Sequence, residues 1–326
     1  TSPTAKRSFV ADSLATGMLV MLAMTVIQRG VGFLRGIWFC RLLDDAVLGQ
    51  WSMAYDFAVM VTPIMLLGLP GSLPRYVEHY RVRGHLRALV RRLMIATVVL
   101  GLVFFAMLIA APKWFGWLVF SEPTNVSLVY SVGFSVVAVV AFSFVNQLVS
   151  ALRQVRVVST MQFTQGVTFT ILGVSWLSCG GGLAGLIATF GVATLVAMVP
   201  GLISLRSGWR GLPQSDDEFD APSMWQRLLP YAAALWAMNL LINLFFLSDR
   251  YMILHLLPGG DGGGQAAVGQ YHSGRIIPAL LMSLATMISG VLMPYLTADW
   301  EAGRQQRVRD RMLQVLFAIA SLFTAG

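Results

Sequence analysis

Apolar runs long enough to cross a lipid bilayer recur along this chain, and they leave it few folds to choose from. Residues 93–111, for example, hold no charged side chain, and about twenty such residues span the hydrocarbon core as a helix. Inside lipid every backbone N–H and C=O has to be satisfied within the protein, so only helices and closed barrels cross. Barrel strands are short and alternate apolar with polar residues; these runs do neither. Charged residues make up 12% of the 326, against about 25% in soluble domains. The expected class is all-α, a polytopic transmembrane helical bundle.

Spans are expected at 14–39, 48–69, 93–111, 126–152, 160–177, 183–205, 228–247 and 268–292, with a ninth starting at Met312. Lys6 and Arg7 precede a run that is too long for a signal peptide and lacks a small-residue exit, so it reads as a retained first helix. The connections sort by charge. With the N-terminus in the cytoplasm, the inner side holds Lys6, Arg7, the patch at 75–92, Arg153, Arg156, Arg206, Arg210, Arg227 and the patch at 304–311. The outer side holds Arg41 and Lys113. Lys/Arg bias in short loops sets orientation, so the chain reads as a multi-pass cell-membrane protein with its N-terminus inside. The net charge of +8 therefore reports topology and anionic lipid, not nucleic acid. The two basic patches read as short amphipathic helices on the cytoplasmic surface.

Part of the chain occurs twice. Leu48-Gly49-Gln50-Trp51 is matched by Val268-Gly269-Gln270-Tyr271, and each motif runs through an apolar segment to a proline, Pro74 or Pro294, followed by an arginine-rich patch. The offset is constant, 269 − 49 = 220 and 294 − 74 = 220, and an internal repeat of this kind governs the architecture. It equals six helices and a linker. Six is even, so both copies enter the membrane with the same orientation and the halves are parallel repeats about an axis along the membrane normal. The expected division is residues 1–206 as a six-helix lobe, 207–223 as a cytoplasmic linker carrying Asp216, Asp217, Glu218 and Asp220, and 224–326 as the start of a second lobe. The first residue is Thr1, the ninth run is short, and a second lobe of equal size needs roughly a hundred more residues. A piece of a longer protein is expected.

Arginines inside spans are the candidate site residues. Burying one costs roughly 2.5–3.5 kcal/mol on insertion scales, so such residues face a cavity or a partner. Arg35 and Arg250 lie near outer span ends, where snorkelling suffices. Arg29 and Arg275 lie deeper and are read as functional. Arg29 and Arg35 are six residues apart and differ by about 240° on a regular helix, so both cannot point straight at one ligand. Asp56 is read either as an ion-pair partner of Arg29 or Arg35 or as a protonatable coupling group. Asp249 and Arg250 are expected to cap and anchor a helix end, and His272 to be a satisfied polar residue. Gln28, Asn146, Gln147, Gln162, Gln165, Asn239 and Asn243 are expected mainly to bond between helices. The intramembrane charge is positive, which favours an anionic substrate, and the arginine fork fits phosphate oxygens. Cys40 and Cys179 cannot build a disulfide framework or a thiolate metal site; a single bridge between them is left open.

Gln28-Arg29-Gly30-Val31-Gly32-Phe33-Leu34-Arg35 resembles the arginine-glycine-phenylalanine signature of lipid-linked oligosaccharide flippases of the multidrug/oligosaccharidyl-lipid/polysaccharide exporter superfamily. Leu48-Gly49-Gln50-Trp51 leading to Gly68-Leu69-Pro70, and Ser248-Asp249-Arg250-Tyr251 followed by Val268-Gly269-Gln270-Tyr271, are similar to its polysaccharide-transporter branch. Ser273-Gly274-Arg275 through Leu292-Met293-Pro294 is similar to the eighth helix of lipid II flippases, although Gly36 stands where an acid often follows Arg35 in that group. The resemblance implies twelve or more helices in two six-helix lobes around a central cavity. It implies alternating-access transport of a polyprenyl-diphosphate-linked glycan for cell-surface polysaccharide such as O-antigen. It places cavity arginines at Arg29, Arg35 and Arg275, and an aspartate-arginine pair without a firm role at Asp249-Arg250. The expected partners are the lipid-linked glycan, membrane lipids and polysaccharide-assembly enzymes, with no nucleic acid. No cofactor or metal is expected, and H+ or Na+ coupling is left open.

Two alternatives stay open. A cation-coupled multidrug exporter needs cavity carboxylates, and Asp56 alone is at depth. A membrane-embedded oligosaccharide polymerase or ligase needs an outer catalytic loop, and the glycine-rich segment 256–267 offers Asp261 without an acid/base pair. The chain is therefore read as a non-enzyme.

Overall fold

Nearly every local preference in this chain is helical, and the computed structural model is built accordingly. It describes residues 14–121, 126–209, 221–256, 263–283, 285, 296, 300 and 304–324. Pro294, Arg210, Lys6 and Arg7, the acidic cluster at 216–220 and Asp261 lie outside the described residues. Among the described residues there are twelve α-helices and one 3-10 turn, and no strand. In chain order these are α1 (Leu14–Leu42), α2 (Asp45–Leu66), α3 (Leu73–Val82), α4 (Leu86–Ala110), α5 (Pro112–Phe120), α6 (Val126–Ala151), α7 (Val155–Ser178), α8 (Leu183–Ala197), α9 (Val199–Trp209), α10 (Ala221–Leu256), α11 (Gly263–Gly274) and α12 (Gln305–Thr324). The described residues include four helical runs long and apolar enough to cross a membrane: α4, α6, α8 with α9, and α10. A fifth is formed if α2 and the turn into α3, bent by 70°, count as one span.

Two compact units divide the chain, Thr1–His272 and Ser273–Gly326. In the first, α6, α7 and α8 pack on one another, α1 lies against α7, and α2 is wedged between α6 and α10. Because α2 is covered on most sides, Leu48, Met53 and Phe57 are almost wholly buried. Asp44 starts that helix by accepting the Val47 amide at 2.9 Å, the bond an N-cap supplies to an otherwise orphaned donor. Leu67 and Gly68, both at positive φ, end it. Pro70 then opens the 3-10 turn Pro70–Ser72 that leads into α3. The second unit holds helical residues 276–283 and α12.

Several expected boundaries move. The patch at 75–92 is not one surface helix. It is α3, a turn through Gly84 at φ 75°, and then the first turns of α4, which run unbroken into the apolar span. The patch at 304–311 is likewise the opening of α12 and not a separate element. In both, arginines are good helix formers and nothing in the sequence stops the helix at the membrane edge. The sixth span is split before Val199, where Pro200 has no N–H to continue the ladder. α5 occupies a connection between spans, because Phe115, Val119 and Phe120 are buried against the bundle. The seventh span runs past 247 to Leu256.

Candidate functional site

The two copies of the repeated motif meet each other. Gly49 on α2 lies so close to α11 that a Cβ there would collide with the Gln265 carbonyl oxygen, and a Cβ on Gly269 would collide with that of Asp45. These two clashes are the same contact read in both directions, since 45 + 220 = 265 and 49 + 220 = 269. The hydrogen bonds follow the same rule. Gln50 donates to Gln265 Oε1, and its counterpart Gln270 donates to Asp45 Oδ2 at 3.0 Å. Ser52 Oγ and His272 Nδ1, themselves 220 apart, face each other at 3.1 Å. A local two-fold relation therefore runs between the two glycines. Only residues without a side chain allow helices this close.

Beside this contact a charge pair is sealed between α2 and α10. The Asp56 carboxylate is bonded to the Arg250 guanidinium, with side-chain exposures of 12% and 13%. Arg250 Nη1 also reaches Ser52 Oγ at 3.3 Å, the same oxygen that faces His272 Nδ1. The ion pair is thus continuous with the centre of the repeat contact. Next to it Tyr271 donates to Asp249 Oδ2 at 2.9 Å, and Gln265 donates to the Phe120 carbonyl at 2.9 Å.

These partners correct three expectations. Asp56 pairs with neither Arg29 nor Arg35 but with Arg250, nearly two hundred residues away. Arg250 does not snorkel, because α10 continues beyond it and turns it toward α2. Asp249 and Arg250 do not cap a helix end; both lie inside α10, with Asp249 engaged by Tyr271. His272 is a satisfied polar residue, as expected.

Arg29 and Arg35 sit on different faces of α1. Arg29 is exposed. Arg35 turns toward α7 and lies 4.7 Å above the centre of the Phe169 ring, an attraction between cation and ring face. Phe169 belongs to an aromatic cluster with Trp51 and Phe190, at ring separations of 5.2 and 5.1 Å. Arg35 therefore has an aromatic partner within the bundle. Arg275 lies in the second unit at a turn, its carbonyl accepting the Ala279 amide at 2.8 Å.

The other polar residues divide. Gln165 bonds between helices, to Thr194 at 3.0 Å. Asn239 and Asn243 instead donate to the Leu235 and Asn239 carbonyls of their own helix, both at 2.8 Å, because an amide four residues along reaches back to that oxygen without needing a neighbour. Cys40 and Cys179 are free thiols.

Ser52, Gln50, Gln265, Gln270 and Asp45 were missed as site residues. Their signal was the constant offset itself, since every one belongs to a pair of positions 220 apart.

Among protein families, a model described as polysaccharide biosynthesis protein matches residues 14–299. Neither the curated proteins nor the solved structures hold a match.

Proposed function

As this chain belongs to the polysaccharide biosynthesis protein family and is a multi-pass helical membrane protein, we propose that it is a flippase. Its cargo is a polyprenyl-diphosphate-linked oligosaccharide for cell-surface polysaccharide, moved by alternating access and without covalent chemistry. Arg29 and Arg275 each bind phosphate during transport, while Arg35, on another face of α1, is held over the Phe169 ring. Guanidinium forks bond phosphate oxygens in pairs, and the attraction grows where water is thin.

The observation that carries the proposal is the contact between the two repeat copies. Carriers built from repeats expose their site alternately by moving one repeat against the other. The contact at Gly49 and Gly269 is suited to that: small, backbone-to-backbone, and bordered by polar bonds that can exchange for water. The Asp56–Arg250 pair beside it joins α2 to α10 and leaves no net charge when closed. Asp56, the acid a cation exporter would use, is occupied by an arginine, which favours the anionic cargo over that alternative.

The test is export in cells. Arg29→Ala and Arg275→Ala are each expected to abolish appearance of the glycan at the surface, with lipid-linked intermediate accumulating and the protein inserted at normal levels. Undiminished export in both variants would remove the phosphate-holding role.

A further inference from the structure

A cavity of about 1490 Å³ opens between α4, α6 and α9, away from the repeat contact. It exceeds the roughly 300–1,000 Å³ typical of pockets for compact small molecules. Its shape is elongated. On α4 the lining runs from Arg87 to Phe105, eighteen residues or about 27 Å of helix. That compares with about 20–22 Å for half a bilayer including headgroups.

The two ends differ in chemistry. Arg87 and Arg91 from the first turns of α4, and Arg206 from α9, line one end. Met94, Val98 and Leu102 carry the wall onward, facing Phe134 and Val137 of α6. Each of these five is more than a third exposed. No acidic side chain lines the cavity among the described residues. Arg87 ties the end together, its Nη2 donating to the Trp209 carbonyl at 2.6 Å across to α9. Arg91 and Arg206 are exposed in front of it. Gly101 lies midway along the floor, and a Cβ there would meet nothing within 4 Å.

We propose that this groove binds one anionic phospholipid from the leaflet that the arginines face, with an acyl chain laid along α4 and the phosphate between Arg91 and Arg206. The length, the apolar wall and the single basic end fit an amphiphile with an anionic head, and a free phosphate ion would use only the last of these. Basic residues at the bilayer surface attract anionic lipid, and an apolar chain in the groove covers wall that is otherwise unpartnered.

The experiment uses the purified full chain, delipidated in detergent and then equilibrated with vesicles of phosphatidylglycerol or of phosphatidylcholine. Retained lipid is counted by native mass spectrometry. The intact protein is expected to keep one phosphatidylglycerol with a preference of about tenfold or more over phosphatidylcholine. Arg91→Glu with Arg206→Glu should erase the preference. Gly101→Trp, which fills the groove, should lose both lipids, and added inorganic phosphate should not displace phosphatidylglycerol. Equal retention of the two lipids by the unaltered protein overturns the proposal whatever the variants do. So does retention unchanged by Gly101→Trp, or displacement by phosphate alone.

Discussion

Asp56 and Arg250 are the clearest case of a residue whose meaning depends on its partner. Each is nearly buried, and an unpaired charge in such a place is far more costly than either a pair or an apolar replacement. Removing one member, as in Arg250→Met, is expected to destabilise the protein by about 3–5 kcal/mol. The double change Asp56→Leu with Arg250→Met should recover most of that loss. Denaturation of the detergent-solubilised protein measures both, and strictly additive losses would show that the two charges do not depend on each other. The sequence made both residues conspicuous, as charges in apolar runs. It paired Asp56 wrongly because neighbouring spans were the nearest candidates, whereas the actual partner arrives through packing of α10 on α2. Arg35 shows the same limit: its depth was legible, its place over the Phe169 ring was not.

Helices in this protein approach most closely where glycine permits it. Gly68 has φ 67°, and a Cβ there would collide with the Ala232 carbonyl of α10. Gly68→Ala is therefore expected to lose about 1–2 kcal/mol from the left-handed backbone alone, and more from displacing α10. Gly101→Ala, in open space within α4, should be neutral or gain up to about 1 kcal/mol of helix propensity. Similar melting shifts for the two would contradict the packing described. At the repeat contact, Gly49→Ala and Gly269→Ala should act alike, because each forces apart the same two helices. Gln265 is 5% exposed, so a cysteine at 265, in a chain lacking Cys40 and Cys179, should react faster with maleimide when either glycine is changed. Unaltered labelling in both would mean that the helices do not meet there. At this scale the spans themselves were legible from apolar runs. Their ends were less so, since α4, α10 and α12 carry arginine and polar turns within continuous helix, and α5 is held by burial of its aromatic face.

For the molecule as a whole, the distribution of arginine makes a topological prediction. With the N-terminus inside, the α7–α8 connection faces outward and the end of α9 inward. A membrane-impermeant maleimide applied to intact cells should label the exposed Cys179. With Cys40 replaced by serine throughout, it should not label Ser207→Cys in a chain whose Cys179 has also been replaced by serine. The reverse pattern would invert the assignment and move the proposed lipid groove to the opposite leaflet.

The sequence by itself determined that this is a helical membrane protein and roughly where its apolar spans lie. It also carried the duplicated motif in positions 220 apart. Hydropathy and charge are summed locally along a chain, and a lipid-embedded helix satisfies its backbone within its own segment, so no distant residue has to be known. Tertiary structure alone decided that the two motif copies touch, that Asp56 closes on Arg250, and that α4, α6 and α9 leave a groove between them. Those outcomes depend on how side chains nearly two hundred residues apart interlock, and small residues or a turned helix face settle that only once the helices are packed.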